Sequence, residues 1–224
     1  PQLLKDELVG EQATHLYEDA QKMIEMIISK QLFKAKGIFG LFEANTVDED
    51  DISITKNKKE IARFRTLRQQ LHKKEGVPSY ALADFIAPVQ EVQDYMGAFC
   101  VAIFGADELA QTYKEAHDDY NAILVQAIAD RFAEAFAEYL HKQVRMKHWG
   151  YAAGETLQND ELIKEAYTGI RPAPGYPACP DHLEKDTIWD LLDVEKVIGV
   201  KLTESKAMWP AAAVSGYYFA NDKA

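Results

Sequence analysis

The sequence predicts an α+β domain, a mostly antiparallel sheet packed around one long central helix. Three observations carry this expectation. An apolar repeat with a period near 3.6 runs on from Asp107 over roughly 35 residues without Gly or Pro. Several short segments have strand composition and are bounded by turn residues. Helix-like and strand-like segments follow no regular alternation, which disfavours a doubly wound parallel sheet.

Each element has its own reason. Over 3–29, Leu4, Leu8, Ala13, Leu16, Tyr17, Ala20, Ile24, Ile27 and Ile28 recur at helical spacing. GIFGLFEAN, from Gly37, reads as a strand whose glycines permit close packing. Asp48–Asp51 form an acidic turn before the short alternating strand Ile52–Thr55. Residues 57–74 read as an exposed helix ended by Gly76 and Pro78. Tyr95–Phe104, rich in β-branched and aromatic residues, reads as a buried strand. The long helix follows, with Tyr113, Tyr120, Ile128, Phe132, Phe136 and Leu140 among its apolar positions. A shorter helix is expected over about 159–167, capped by Asn159 with Glu161 and ended by Gly169. Four prolines then forbid regular structure between Arg171 and Pro180. A helix over about 185–198 and a strand over 214–220 complete the order.

Composition narrows the function. The chain of 224 residues has 25 basic and 36 acidic side chains, a net charge of −11. Nucleic acids and anionic membranes both reward a basic surface, so neither is expected as a partner. Two cysteines, Cys100 and Cys179, are too few for a disulfide framework. No apolar run approaches the roughly 20 residues that span a bilayer, and the N-terminus is polar, so a cytoplasmic setting is expected. The start at Pro1 and the stop at Ala224 are expected to mark a segment truncated at both ends.

The segment with the strongest functional signal is RPAPGYPACP, 171–180. Its prolines fix φ, so the loop loses little entropy when held in one shape. Arg171 stands at its entrance, where its guanidinium can grip a carboxylate or phosphate through two parallel bonds. Gly175 allows close backbone approach, and Tyr176 offers a flat face with a polar tip. Read from physics alone, a rigid crossover loop whose arginine pairs with a surface acid fits equally well.

The run GIRPAPGYPACPDH, followed by TIWDLLDVEK, GVKLTES and AMWPAAAVSGYYF, closely resembles the C-terminal activation domain of cobalamin-dependent methionine synthase. KGIFGLFEAN, LADFIAP, DYMGAFCVA, HDDYNAILVQAIADRFAEAFAEYLH and HWGYA resemble the same family in the same order, so the resemblance covers essentially all of 1–224. It implies a C-shaped single domain built on a twisted antiparallel sheet. It implies binding of S-adenosylmethionine, presented to cobalamin held by a neighbouring domain of the same polypeptide. The implied task is reductive methylation: cob(II)alamin returns to methylcobalamin with an electron from a flavodoxin-type donor or flavoprotein reductase. Methyl transfer from methyltetrahydrofolate to homocysteine belongs to other domains.

Residue by residue, the resemblance assigns Arg171 to the carboxylate of S-adenosylmethionine and Ala173 to a backbone contact with the ligand. It assigns Tyr176 to the cobalamin face, and Glu134 and Glu165 to acids near the ligand. A sulfonium cation attracts carboxylates and an α-ammonium group needs acceptors, so the chemistry is coherent. An upstream aspartate and a downstream tyrosine pair of the family's site lie beyond the ends of this sequence.

Other readings are weaker. His117-Asp118-Asp119 invites a metal, but adjacent residues on a helix diverge. Cys179 and His182 lack a second ligand pair for zinc. Gly37–Gly40 is no dinucleotide fingerprint. The Asp130, Glu134, Glu138 stripe is expected to be mostly solvated. The main rival is an interaction module that docks the flavoprotein and caps cobalamin without binding S-adenosylmethionine. Between Thr55 and Lys74 eight basic residues face the single acid Glu60, so Lys56–Lys74 is the expected contact for an acidic electron donor.

Overall fold

The computed structural model describes residues 3–6 and 9–221. A single 3-10 turn, Leu3–Lys5, precedes helix α1 (Gly10–Ser29), so the N-terminal helix is shorter than its apolar repeat suggested. Three strands follow, β1 (Lys34–Val47), β2 (Asp51–Lys56) and β3 (Lys59–Arg65), then β4 (Asp94–Phe104). Next come α2 (Ala106–Glu115), α3 (Asp119–Gln143), a π-helical turn (Val144–His148) and α4 (Asn159–Ile163). The chain closes with α5 (Glu184–Leu192), α6 (Val194–Ile198), the minor pair β5 (Lys201–Leu202) and β6 (Met208–Trp209), and β7 (Ala213–Tyr218).

The main sheet has the order β3-β2-β1-β4-β7, and every neighbouring pair is antiparallel. β1 and β4 pair from Lys34↔Phe104 to Ala44↔Asp94. Side chains of β4 alternate between two cores. Met96, Ala98, Cys100 and Ala102 join the cluster containing Ile188, Trp189 and Leu192 of α5. Phe99, Val101 and Ile103 face the clusters that contain α3 residues such as Ala129 and Ala137. A strand covered on both faces must be apolar at every step, which is why MGAFCVAIF, from Met96 to Phe104, reads as one continuous hydrophobic run. Gly37 has the role expected of it: a Cβ there would lie 3.0 Å from the Phe136 ring of α3.

Four expectations are corrected. Residues 57–74 are not a helix. β3 pairs with β2 through Ile52↔Phe64, and Ala62, Phe64 and Thr66 turn inward while Ile61 and Arg65 are exposed and Arg63 is half-buried. The turn at Asn57 and Lys58 takes positive φ at both residues, the geometry of a tight hairpin. A period of two around Phe64 therefore outweighs the high local charge. The long helix is also two helices: His117 adopts φ 58° and Asp118 caps α3, its carboxylate accepting from Asn121 N–H at 3.0 Å. The helix expected over 185–198 breaks likewise at Asp193, φ 52°. In α4 the Glu161 carboxylate accepts from Gln158 N–H at 2.9 Å, so the cap sits one residue before Asn159, and the helix ends at Ile163.

Candidate functional site

The proline-rich loop is fixed along the outer edge of β7. Ile170 and Phe219 exchange backbone hydrogen bonds at 3.0 and 3.1 Å, and Tyr217 N–H donates to Pro172 O at 2.9 Å. Gly216 makes this approach possible, since a Cβ there would stand 2.3 Å from Pro172 O. Farther along, Gly175 N–H donates to Cys179 O and Cys179 N–H to Tyr176 O, both at 2.8 Å. The small turn so formed leaves Tyr176 66% exposed at its tip. Gly175 has φ +98°, and its open side lies against the His182 ring. Ala173 lies half-buried on the stretch between the two anchors.

Arg171 turns inward from this edge toward α3. One terminal nitrogen, Nη2, lies 3.5 Å from Glu138 Oε2, while Nε is buried and without a hydrogen-bond partner among the described residues. Glu138 also accepts from the Tyr167 hydroxyl at 3.4 Å, and its other oxygen lies 3.8 Å from Arg145 Nη1. Arg145 is fully buried. Glu155 clamps it through two bonds of 2.8 Å, and the guanidinium lies 3.9 Å over the Tyr167 ring. Arg145 sits buried in the π-helical turn Val144–His148, a kind of turn frequent at functional sites.

Aromatic rings fill the space beside these charges. His141 stacks flat on Tyr218 at 5.0 Å, and Tyr218 stacks on Phe99 at 4.6 Å. Burial, aided by the charges of Arg145 and Arg171, holds the His141 pKa down to about 2, so the ring is neutral. Burial, then the charges of Glu138 and Glu165, pushes the Tyr167 hydroxyl up to about 12. Both His141 nitrogens and the Tyr151 and Tyr218 hydroxyls are buried without partners among the described residues.

The structure thus brings Arg171, Ala173, Gly175 and Tyr176 onto one braced loop, with Arg171 against the long helix. Glu134 and Glu165 are exposed and form no ion pair among the described residues. Glu134 lies one turn before Glu138 on α3, and Glu165, at φ 54°, stands six residues before Arg171. The acid that meets Arg171 is Glu138, which the sequence placed in a solvated stripe. The signal lay in the spacing Glu134, Glu138, His141, Arg145, which keeps one helix face. The basic segment is also partly spent internally. Arg63 pairs with Asp48, Asp51 and Glu60, and Arg68 with Asp50 and Asp84.

Along its whole length the chain is similar to a solved structure of known ligand state. That structure is described as the crystal structure of the MetH reactivation domain bound to AdoHcy; the two share 52% identity with a TM-score of 0.94. The match covers 100% of this chain and 70% of that one. The family model of the vitamin B12-dependent methionine synthase activation domain matches residues 1–224. The chain belongs to that family: it is the activation domain of a cobalamin-dependent methyltransferase. No helix among the described residues is long and apolar enough to cross a membrane.

Proposed function

We propose that this domain binds S-adenosylmethionine beside Arg171 and presents its methyl group to cobalamin held by a neighbouring domain, in support of reductive methylation. The observation that carries the reading is Arg171 itself. It is the first residue of a loop braced by prolines and by the β7 edge, and it has a buried donor with no partner among the described residues. A carboxylate is the natural complement of that donor. The AdoHcy in the similar crystal structure has the same amino-acid end as S-adenosylmethionine. Arg171 would take the carboxylate and the backbone at Ala173 and Gly175 would line the ligand. Glu134 and Glu165 would face the cationic sulfur, and exposed Tyr176 would meet the cobalamin.

The cobalt supplies the methyl-accepting chemistry, and this chain supplies position. The test is calorimetry on the full-length protein. S-adenosylmethionine should bind the wild type, and Arg171→Ala should abolish or strongly weaken that binding. Absence of binding by the wild type would leave the rival reading, a docking module, in its place.

For the electron donor we place the contact at the β2–β3 turn, where Lys56, Lys58 and Lys59 are exposed. Reversing these lysines to Glu should slow association of an acidic flavoprotein most at low salt, without altering S-adenosylmethionine affinity. An unchanged on-rate at low ionic strength would remove the turn from the interface.

A further inference from the structure

The charged cluster at Arg171 is already neutral before any ligand arrives. Arg145 and Arg171 contribute two positive charges, and Glu138 and Glu155 two negative ones. The two pairs differ in quality. Arg145 and Glu155 are closed on one another by two bonds of 2.8 Å, with side chains 0% and 5% exposed. Arg171 and Glu138 touch through one contact of 3.5 Å and are 16% and 26% exposed. The first pair is a finished ion pair. The second is looser and part-exposed, and the buried Arg171 Nε donor is unmatched among the described residues.

A simple carboxylate docking on Arg171 would add a negative charge next to Glu138 and leave the part-buried site with a net charge, which is costly in a low-dielectric setting. An α-amino acid end brings both charges at once. Its carboxylate answers Arg171, its ammonium answers Glu138, and the site stays neutral. We infer that Arg171 and Glu138 together form a zwitterion-reading pair, with Glu138 as the specificity residue for the ligand's α-ammonium group. This rests on the reading that Arg171 holds the carboxylate. The deeper Arg145–Glu155 pair fixes the second guanidinium against Glu138, whose two oxygens lie 3.8 Å from Arg145 and 3.5 Å from Arg171.

The test is a double-mutant cycle between protein and ligand, in the full-length protein. The probes are S-adenosylhomocysteine and its deamino analogue, which keeps the carboxylate and lacks the amine. In the wild type, loss of the amine should weaken binding by about tenfold or more, the size expected for a hydrogen bond to a charged group. In Glu138→Gln the same loss should weaken binding by less than about threefold, because the partner charge is gone. Glu138→Asp retains the charge one methylene short and should give an intermediate ratio. An equal ratio in the wild type and both variants overturns the inference. If that happens while Arg171→Lys still weakens S-adenosylhomocysteine, the carboxylate reading survives and only the role of Glu138 is lost. If the wild type binds neither probe, both fall together.

Discussion

His141 is fully buried on α3 with a neutral ring, and this ties stability to pH. Its folded pKa of about 2 lies below the ordinary value of 6.5. Between those values the unfolded chain takes up a proton that the folded chain refuses. Stability is therefore fully present above pH 6.5 and is lost as pH falls through that window. His141→Phe keeps a ring against Tyr218 and removes the titration. The wild type should lose about 2 kcal/mol more than this variant between about pH 8 and 5, measured by urea denaturation at each pH. Arg145 makes a different demand. Arg145→Met would leave Glu155 buried without its partner, and a loss of about 3–5 kcal/mol is expected in the same measurement. At Arg171, a lysine retains the charge but not the planar fork. S-adenosylmethionine binding to the full-length protein should weaken by about 1.5–3 kcal/mol, read by calorimetry on Arg171→Lys.

Among the elements, β7 connects the fold to the loop. Its Gly216 faces Pro172 O so closely that a methyl group must push the loop away from the strand. Gly216→Ala should cost on the order of 1–3 kcal/mol in denaturation and lower ligand affinity with it. The elements most legible in the sequence were those with one dominant period. The apolar run from Met96 to Phe104 fills most of the strand Asp94–Phe104 at the middle of the sheet, and the 3.6 repeat through Ile128 and Phe136 is α3. Elements were misread where local composition competed with packing. The basic residues around Phe64 suggested a solvated helix, yet one buried ring in alternation set a strand. No glycine or proline announces the break at His117, because an Asp cap and one left-handed residue suffice to make it. Arg171 was visible as the head of an unusual loop. Its contact with Glu138 was not, since it spans 33 positions and depends on how β7 brings the loop to α3.

Over the whole molecule, two cores lie on opposite faces of one sheet, and the charged cluster fills the junction of α3, β7 and the loop. Unpartnered polar atoms at that junction are a standing cost to the fold. A ligand that satisfies some of them stabilises the folded state in proportion to its occupancy. At a concentration of about 100 Kd, S-adenosylhomocysteine should add about 2.7 kcal/mol, equivalent to a rise of roughly 5–10 °C in the melting temperature of this domain. Arg171→Ala should remove that rise, while an agent that binds only the β2–β3 turn should leave the charged junction untouched.

The contact between the loop and β7 has one more consequence. A five-stranded open sheet has two free flanks, and an uncovered flank invites pairing with a strand of another chain. On the β7 side, Ile170 and Pro172 occupy the hydrogen-bonding groups of Phe219 and Tyr217 that such a strand would seek. The residues on either side of Arg171 therefore act as a guard against self-association. Substitutions that loosen this segment should cost solubility as well as affinity, and turbidity on concentration should track the loss of binding across a series of loop variants.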